Sequence, residues 1–501
     1  MPPSSADGFA QWCQRAEALS IRAQAFIDGR FVDAADGKRF DCVSPIDGRV
    51  LAQVAEGAAA DIDRAVAAAR QAFEDRRWAG LAPARRKAVL LAFAERIALH
   101  AEVLALLESL DMGKPISDAL AVDSPATARC LRWYGEAVDK LYDEIAPTAD
   151  DTIATITREP LGVVGVVVPW NFPMIMAAWK IAPALAAGNS VVLKPAEQSP
   201  LTALRLAELA AEAGLPAGVF NVVPGFGPVA GKALGLHPDV DGAFFTGSTE
   251  VGKLFLHYSS QSNMKRIGLE CGGKSAHIVM DRCGDLDAAA RAAAGAIFFN
   301  QGEMCTAGSR LVLHRAVKEQ VLDRLVALAA DYSPGHPLHP ATTMGALVDH
   351  RHAERVLGYV NKGRAEGARL VSGGERAEPV PGGAYVQPTI FDQVTPAMTI
   401  AREEIFGPVL AVLTVDSEDE AIRVANDSDY GLAAAVWSDD VNQLHRMTKR
   451  LRAGVVYANC YDADDLTVPF GGFKQSGIGR DKSLHAFDKY TELKSTWLRL
   501  R

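Results

Sequence analysis

No stretch of 18 uncharged apolar residues occurs in the 501-residue chain, and its most apolar short segment, Leu161 to Pro169, is far too short to cross a bilayer. The first twenty residues carry Asp, Gln, Glu and a cysteine. They lack a positive start followed by an apolar core, so no secretory signal is expected. Cysteine is scarce: seven residues, widely scattered, with no Cys-x-x-Cys pair. That excludes a disulfide framework and points to a reducing, cytoplasmic setting. Clustered Lys and Arg are missing as well, and the formal net charge is -9, which argues against nucleic acid as a partner. No internal repeat and no low-complexity tract is present.

What remains is ordinary globular composition, 49% hydrophobic and 23% charged. At roughly 100–200 residues per domain, the length implies two to four domains or subdomains. Residues 61–110 have helical apolar spacing, with Asp61 as a candidate cap and Pro83 near the start of a long Ala/Leu/Arg-rich stretch. The period then changes. Val163–Val168, Ser190–Leu193, Val219–Val223 and Val240–Thr246 read as strands. Helices follow the first (to Ala187), the second (Pro200 to Ala213) and the fourth (from Thr249). Such alternation predicts a mostly parallel, doubly wound α/β sheet. After Gly272 the pattern restarts with Ala276–Met280, Leu286–Phe299, Leu311–Leu313 and Val317–Ala330, so a second α/β domain is expected from about there. Residues 332–342, rich in Pro and His, read as an exposed loop, and Thr491 to Arg501 as an edge strand.

Cys305 lies in Asn300-Gln-Gly-Glu-Met-Cys-Thr-Ala-Gly-Ser-Arg310, between Gly302 and Gly308. Small, flexible neighbours leave a thiol reachable and bring backbone N–H groups near enough to hold an oxyanion. A buried, inert cysteine fits the same segment, so both readings stay open on local sequence. Glu270 ends a strand just before the pair Gly272-Gly273. A carboxylate there can reach a cleft and act as general base on water, or be a plain surface glutamate. A nucleophilic cysteine needs such a base, because the thioester it makes must be hydrolysed.

Two glycine segments follow strands and open helices. Gly225-Phe-Gly227-Pro-Val-Ala-Gly231 approximates the dinucleotide pattern G-x-G-x-x-G with its third glycine one place late. The segment from Gly247 and Ser248 to Lys253 has P-loop spacing but Leu254 where a magnesium-binding Ser or Thr belongs, which excludes a triphosphatase. Its helix N-terminus still suits a pyrophosphate. Lys194 and Glu197 follow a strand, at the edge where doubly wound sheets bind cofactors. An acid there accepts from ribose hydroxyls and disfavours a 2′-phosphate, so NAD is favoured over NADP.

Six segments then occur in order: Pro169-Trp-Asn-Phe-Pro173, Phe245-Thr-Gly-Ser-Thr249, Leu269-Glu-Cys-Gly-Gly-Lys274, the Cys305 segment, Glu403-Glu-Ile-Phe-Gly-Pro408 and Pro469-Phe-Gly-Gly-Phe-Lys474. Together they closely resemble the aldehyde dehydrogenase superfamily, from about residue 25 to the C-terminus. The resemblance implies two Rossmann-like domains, one for cofactor and one catalytic, plus a small β oligomerisation element. Residues 1–140 with 160–271 are the expected NAD-binding domain and 272–483 the catalytic one; 141–159 with 484–501 join subunits into dimers or tetramers. It implies oxidation of an aldehyde to the acid. Cys305 is the implied nucleophile, Asn171 the oxyanion donor beside the Cys305 N–H, and Glu270 the base for deacylation. On the cofactor side it implies Lys194 and Glu197 at the adenosine ribose, Gly247 and Ser248 at the pyrophosphate, and Glu404 and Phe406 at the nicotinamide ribose and ring, with Gly227 and Trp170 as further cofactor-binding residues. No metal is implied. Asp481 stands where many relatives carry Glu, so no proton-relay role is carried over to its shorter arm.

By the same resemblance, Asn459-Cys-Tyr-Asp-Ala-Asp-Asp-Leu-Thr-Val-Pro469 lines the outer substrate mouth, with Met176, Trp179 and Phe470 as tunnel walls. Asp462, Asp464 and Asp465 make that mouth negative, which suits an ω-amino or guanidino aldehyde. The run from Thr467 to His485 looks like that of bacterial γ-glutamyl-γ-aminobutyraldehyde and 4-guanidinobutyraldehyde dehydrogenases of putrescine and arginine breakdown. A broad aliphatic aldehyde dehydrogenase and a cysteine-dependent esterase are the alternatives. A non-catalytic scaffold and a CoA-acylating enzyme are disfavoured by the intact Cys305, Asn171 and Glu270.

Overall fold

A computed structural model describes residues 5–501. Two large sheets organise it. The first runs, strand beside strand, Arg30–Val32, Ala25–Ile27, Phe220–Val222, Ser190–Lys194, Val163–Val167, Gly242–Thr246, Arg266–Glu270 and Gly477–Ile478. Its central five strands are parallel. Val163–Val167 and Ser190–Lys194 are buried along their whole length, because helices cover both faces of the sheet. Strand order reverses between Val163–Val167 and Gly242–Thr246, and such a switch point opens a crevice beyond the carboxyl ends. Register brings those ends level: Val167 lies opposite Lys194 and Phe245, and Thr246 opposite Glu270.

The second sheet orders Arg369–Ser372, Thr389–Asp392, Val409–Val415, Arg310–His314, Ala276–Val279, Ala433–Trp437 and Val455–Ala458, parallel except at the first strand. A three-stranded sheet stands apart, with Thr491–Arg499 at its edge pairing antiparallel with Thr152–Pro160, which also takes Glu144–Ala146. Among the described residues no helix is long and apolar enough to cross a membrane.

Several sequence expectations are corrected. The helices expected over 61–110 are Ala59–Glu74, Pro83–Leu99 and Ala101–Met112, so the stretch read as continuous from Pro83 to Leu110 breaks at His100. Asp61 sits inside the first turn and accepts backwards from the Ala58 N–H (3.1 Å). The Pro/His loop 332–342 is partly covered, with Phe9 of the helix Ser5–Glu17 packed edge-on against His336 (4.9 Å). Gly477–Ile478, inside the range assigned to the second domain, pairs instead with Leu269 and Glu270 of the first sheet. Glycine permits this: Gly477 has φ +147°, and a Cβ on it would lie 2.2 Å from the Leu269 carbonyl oxygen.

Candidate active site

The helix Leu286–Phe298, capped by Asp285, runs into Asn300 and Gln301, both in the left-handed region (φ 49° and 57°). Two buried amides hold this costly turn. Asn300 Nδ2 donates to the carbonyls of Asn171 (3.1 Å) and Glu303 (3.2 Å), while Asn171 Nδ2 donates to Glu303 O (2.7 Å). One Asn171 N–H is thereby spent and the second is left for another acceptor. Gly302 lets the turn press on Gly407, whose carbonyl would lie 2.4 Å from any added Cβ. Cys305 emerges partly exposed into a cavity of about 730 Å³ that Asn171, Glu270, Glu404 and Phe406 also line.

Glu270 is 4% exposed, and neither carboxylate oxygen has a hydrogen-bond partner. Burial first, then the negative charge of Asp481, push it up to about 8, against the pull of Lys180, Lys489 and Arg480. Although burial opposes its charge, Asp481 is held below the ordinary carboxylate range by Lys180 and Lys489, one on each oxygen. Burial and the carboxylates of Glu404, Glu270 and Asp462 push the Cys305 thiol up, so it rests protonated.

On the cofactor side, Ser248 caps the helix Thr249–Gln261 by accepting from the Val251 N–H, and Gly247 donates to Glu270 O. Trp170 meets Phe406 edge-on at 5.2 Å, and His352 Nε2 hydrogen-bonds the Phe406 carbonyl. Glu404 accepts from the Gly273 N–H (2.8 Å) and lies so close to Gly272 that a Cβ there would stand 1.9 Å from its other oxygen. Burial raises its carboxyl to about 7. Lys194 and Glu197 pair at 2.9 Å but, like Gly227, lie outside the cavity lining. A side chain at Gly227 would meet nothing within 4 Å, so no close packing requires glycine there.

Met176, Trp179 and Phe470 line the same cavity, the last two rings 5.0 Å apart. The three aspartates of the mouth separate. Asp464 is ion-paired with the buried Lys482, and Asp465 accepts from the N–H and hydroxyl of Thr467. Asp462 forms no ion pair among the described residues; the surrounding protein and Asp464 raise it to about 6, which leaves it mostly ionised at neutral pH. Linear sequence missed Asn300, Lys180, Lys482 and Lys489, which lack a motif of their own. It also missed Arg129, Arg132 and Glu136, which line the cavity from the helix Ser124–Ala137. Their shared helical face was the available signal.

The profile of the aldehyde dehydrogenase family matches residues 31–496. The chain is 52% identical to the NADP/NAD-dependent aldehyde dehydrogenase PuuC of Escherichia coli (strain K12), over 98% of each chain. It superposes on a γ-glutamyl-γ-aminobutyraldehyde dehydrogenase from Burkholderia cenocepacia J2315 with a TM-score of 0.97 at 59% identity, covering 98% of this chain and 100% of that one. The P. syringae indole-3-acetaldehyde dehydrogenase, solved with NAD+, also gives 0.97, at 58% identity over 98% of this chain and 99% of that one. With these matches spanning both sheets and the whole cavity, the chain belongs to the aldehyde dehydrogenase family of NAD(P)-dependent oxidoreductases.

Proposed function

We propose that the protein oxidises an aldehyde bearing a positive charge at its far end to the carboxylic acid, with NAD favoured over NADP. One observation carries this reading: a single cavity, lined also by Trp179 and Phe470, holds the Cys305 thiol, the unpartnered Glu270 carboxylate and Asp462, which forms no ion pair among the described residues. Relatives named for indole-3-acetaldehyde and for γ-glutamyl-γ-aminobutyraldehyde are about equally similar, so Asp462 is what favours the cation.

Cys305 Sγ gives up its proton and attacks the aldehyde carbon. The remaining N–H of Asn171 and the Cys305 backbone N–H receive the developing oxyanion. NAD, when bound, supplies the two-electron acceptor for the hydride that leaves the carbon. Glu270 then takes a proton from water as it attacks the Cys305 thioester, releasing the acid and the thiol. The residues fit a dinucleotide. Gly247 and Ser248 offer a helix N-terminus to the pyrophosphate, and Gly227 opens the separate turn Gly227–Gly231. Trp170, Phe406 and the second oxygen of Glu404 suit the nicotinamide end, and Lys194 with Glu197 the adenosine ribose. The exposed Ile145, Leu493 and Trp497 of the three-stranded sheet favour joining of subunits in a homo-oligomer.

The test is NADH formation, comparing kcat/KM for 4-guanidinobutyraldehyde, 3-aminopropionaldehyde, γ-glutamyl-γ-aminobutyraldehyde and hexanal. Preference for the charged aldehydes is expected. Preference for hexanal overturns the substrate class and leaves the chemistry standing.

A further inference from the structure

We propose that the mouth reads two opposite charges, and that Arg129 and Arg132 hold a carboxylate at the far end of the aldehyde. The inference rests on the cationic-aldehyde reading above and narrows it to substrates ending in a zwitterion. Arg129, Arg132 and Glu136 fall at positions i, i+3 and i+7 of one helix, all exposed, all lining the cavity that holds Cys305. Neither arginine is ion-paired among the described residues. On the loop 459–469, which lines the same cavity, Asp464 is neutralised by Lys482 and Asp465 is engaged by Thr467, which leaves Asp462 as its anion without an ion pair among the described residues. One rim is therefore cationic, with Glu136 one turn beyond Arg132, and the other anionic.

A bare cation drawn to Asp462 shares the cavity with two like charges, and a bare anion drawn to the arginines shares it with Asp462. An α-amino acid terminus satisfies both rims at once. Arginine suits the task, because its planar fork binds a carboxylate through two hydrogen bonds and stays charged at any working pH.

Three aldehydes of equal length separate the two charges. 4-Aminobutyraldehyde acylated on nitrogen by a γ-glutamyl group carries both; its 4-aminobutanoyl analogue keeps only the ammonium, and its glutaryl analogue only the carboxylate. In the wild type, loss of the carboxylate is expected to lower kcat/KM about tenfold, the size of one charge-assisted contact. In Arg129→Met, Arg132→Met or the double variant that ratio falls toward one, whereas Asp462→Asn leaves it in place and collapses the ammonium ratio instead. A wild-type carboxylate ratio near one, or a ratio unmoved in the double variant, overturns the proposal. A wild-type ammonium ratio near one, with the carboxylate ratio intact, overturns only the cationic reading beneath it.

Discussion

Lys482 is buried beside the rings of Trp179 and Phe470, 5.4 and 5.8 Å from their centres, and carries its ammonium across to Asp464 on the mouth loop. The pair ties the tunnel wall to the loop and cancels one of the three charges that the sequence alone assigns to the substrate. Asp464→Asn strands that ammonium under the mouth. Because Asp464 is 56% exposed, the expected loss is only roughly 1–2 kcal/mol, seen as a lower Tm. Asp462→Asn leaves Tm unchanged and lowers the preference for charged aldehydes over hexanal about tenfold. Equal effects of the two substitutions on selectivity contradict the division of labour.

Asn171 spends one N–H on the Glu303 carbonyl, and the second is the one proposed to receive the oxyanion. Asn171→Ala is expected to lower kcat about 10²–10³-fold, as for loss of one oxyanion donor. Its readout is kcat rather than KM, and a change confined to KM rules the donor role out.

In the proposed mechanism ionised Glu270 takes a proton from water, and its carboxyl is raised to about 8. Deacylation should therefore speed up with rising pH and level off above that value. Asp481→Asn removes a negative charge that disfavours ionisation, so the limb moves to lower pH. Lys180→Met removes a cation that favours it, so the limb moves up. A profile that stays put in both variants excludes Glu270 as the titrating base.

Gly272→Ala drives a methyl group into Glu404. Since the Glu404 carboxylate is assigned to the nicotinamide ribose, KM for NAD should rise severalfold while KM for aldehyde moves less. Equal rises in both would mean general disruption of the cavity.

Much of this was legible in the chain. The apolar runs Val163–Val167 and Val191–Leu193 announced buried parallel strands, because helices on both faces bury every position. Cys305, Glu270 and Asn171 each sit in a short ordered segment of the sequence, and the fold draws those segments into one cavity. What pattern does not carry is pairing across the fold. Lys482 with Asp464, Lys489 with Asp481 and Asn300 with Asn171 join residues 8 to 129 positions apart, and no local period encodes them. The return of Gly477–Ile478 to the first sheet was hidden for the same reason: two residues carry no period, and only Gly477, able to lie on the Leu269 carbonyl, makes the pairing possible.

In the proposed function Cys305 carries the substrate and Glu270 releases it. The most direct test mixes the Glu270→Gln variant with NAD and aldehyde, follows NADH through the first turnover, and weighs the quenched protein by mass spectrometry. The account predicts a burst of up to one NADH per site, followed by near arrest, with the acyl mass on the peptide that contains Cys305. Steady turnover without a burst, or an acyl mass on any other residue, would contradict it.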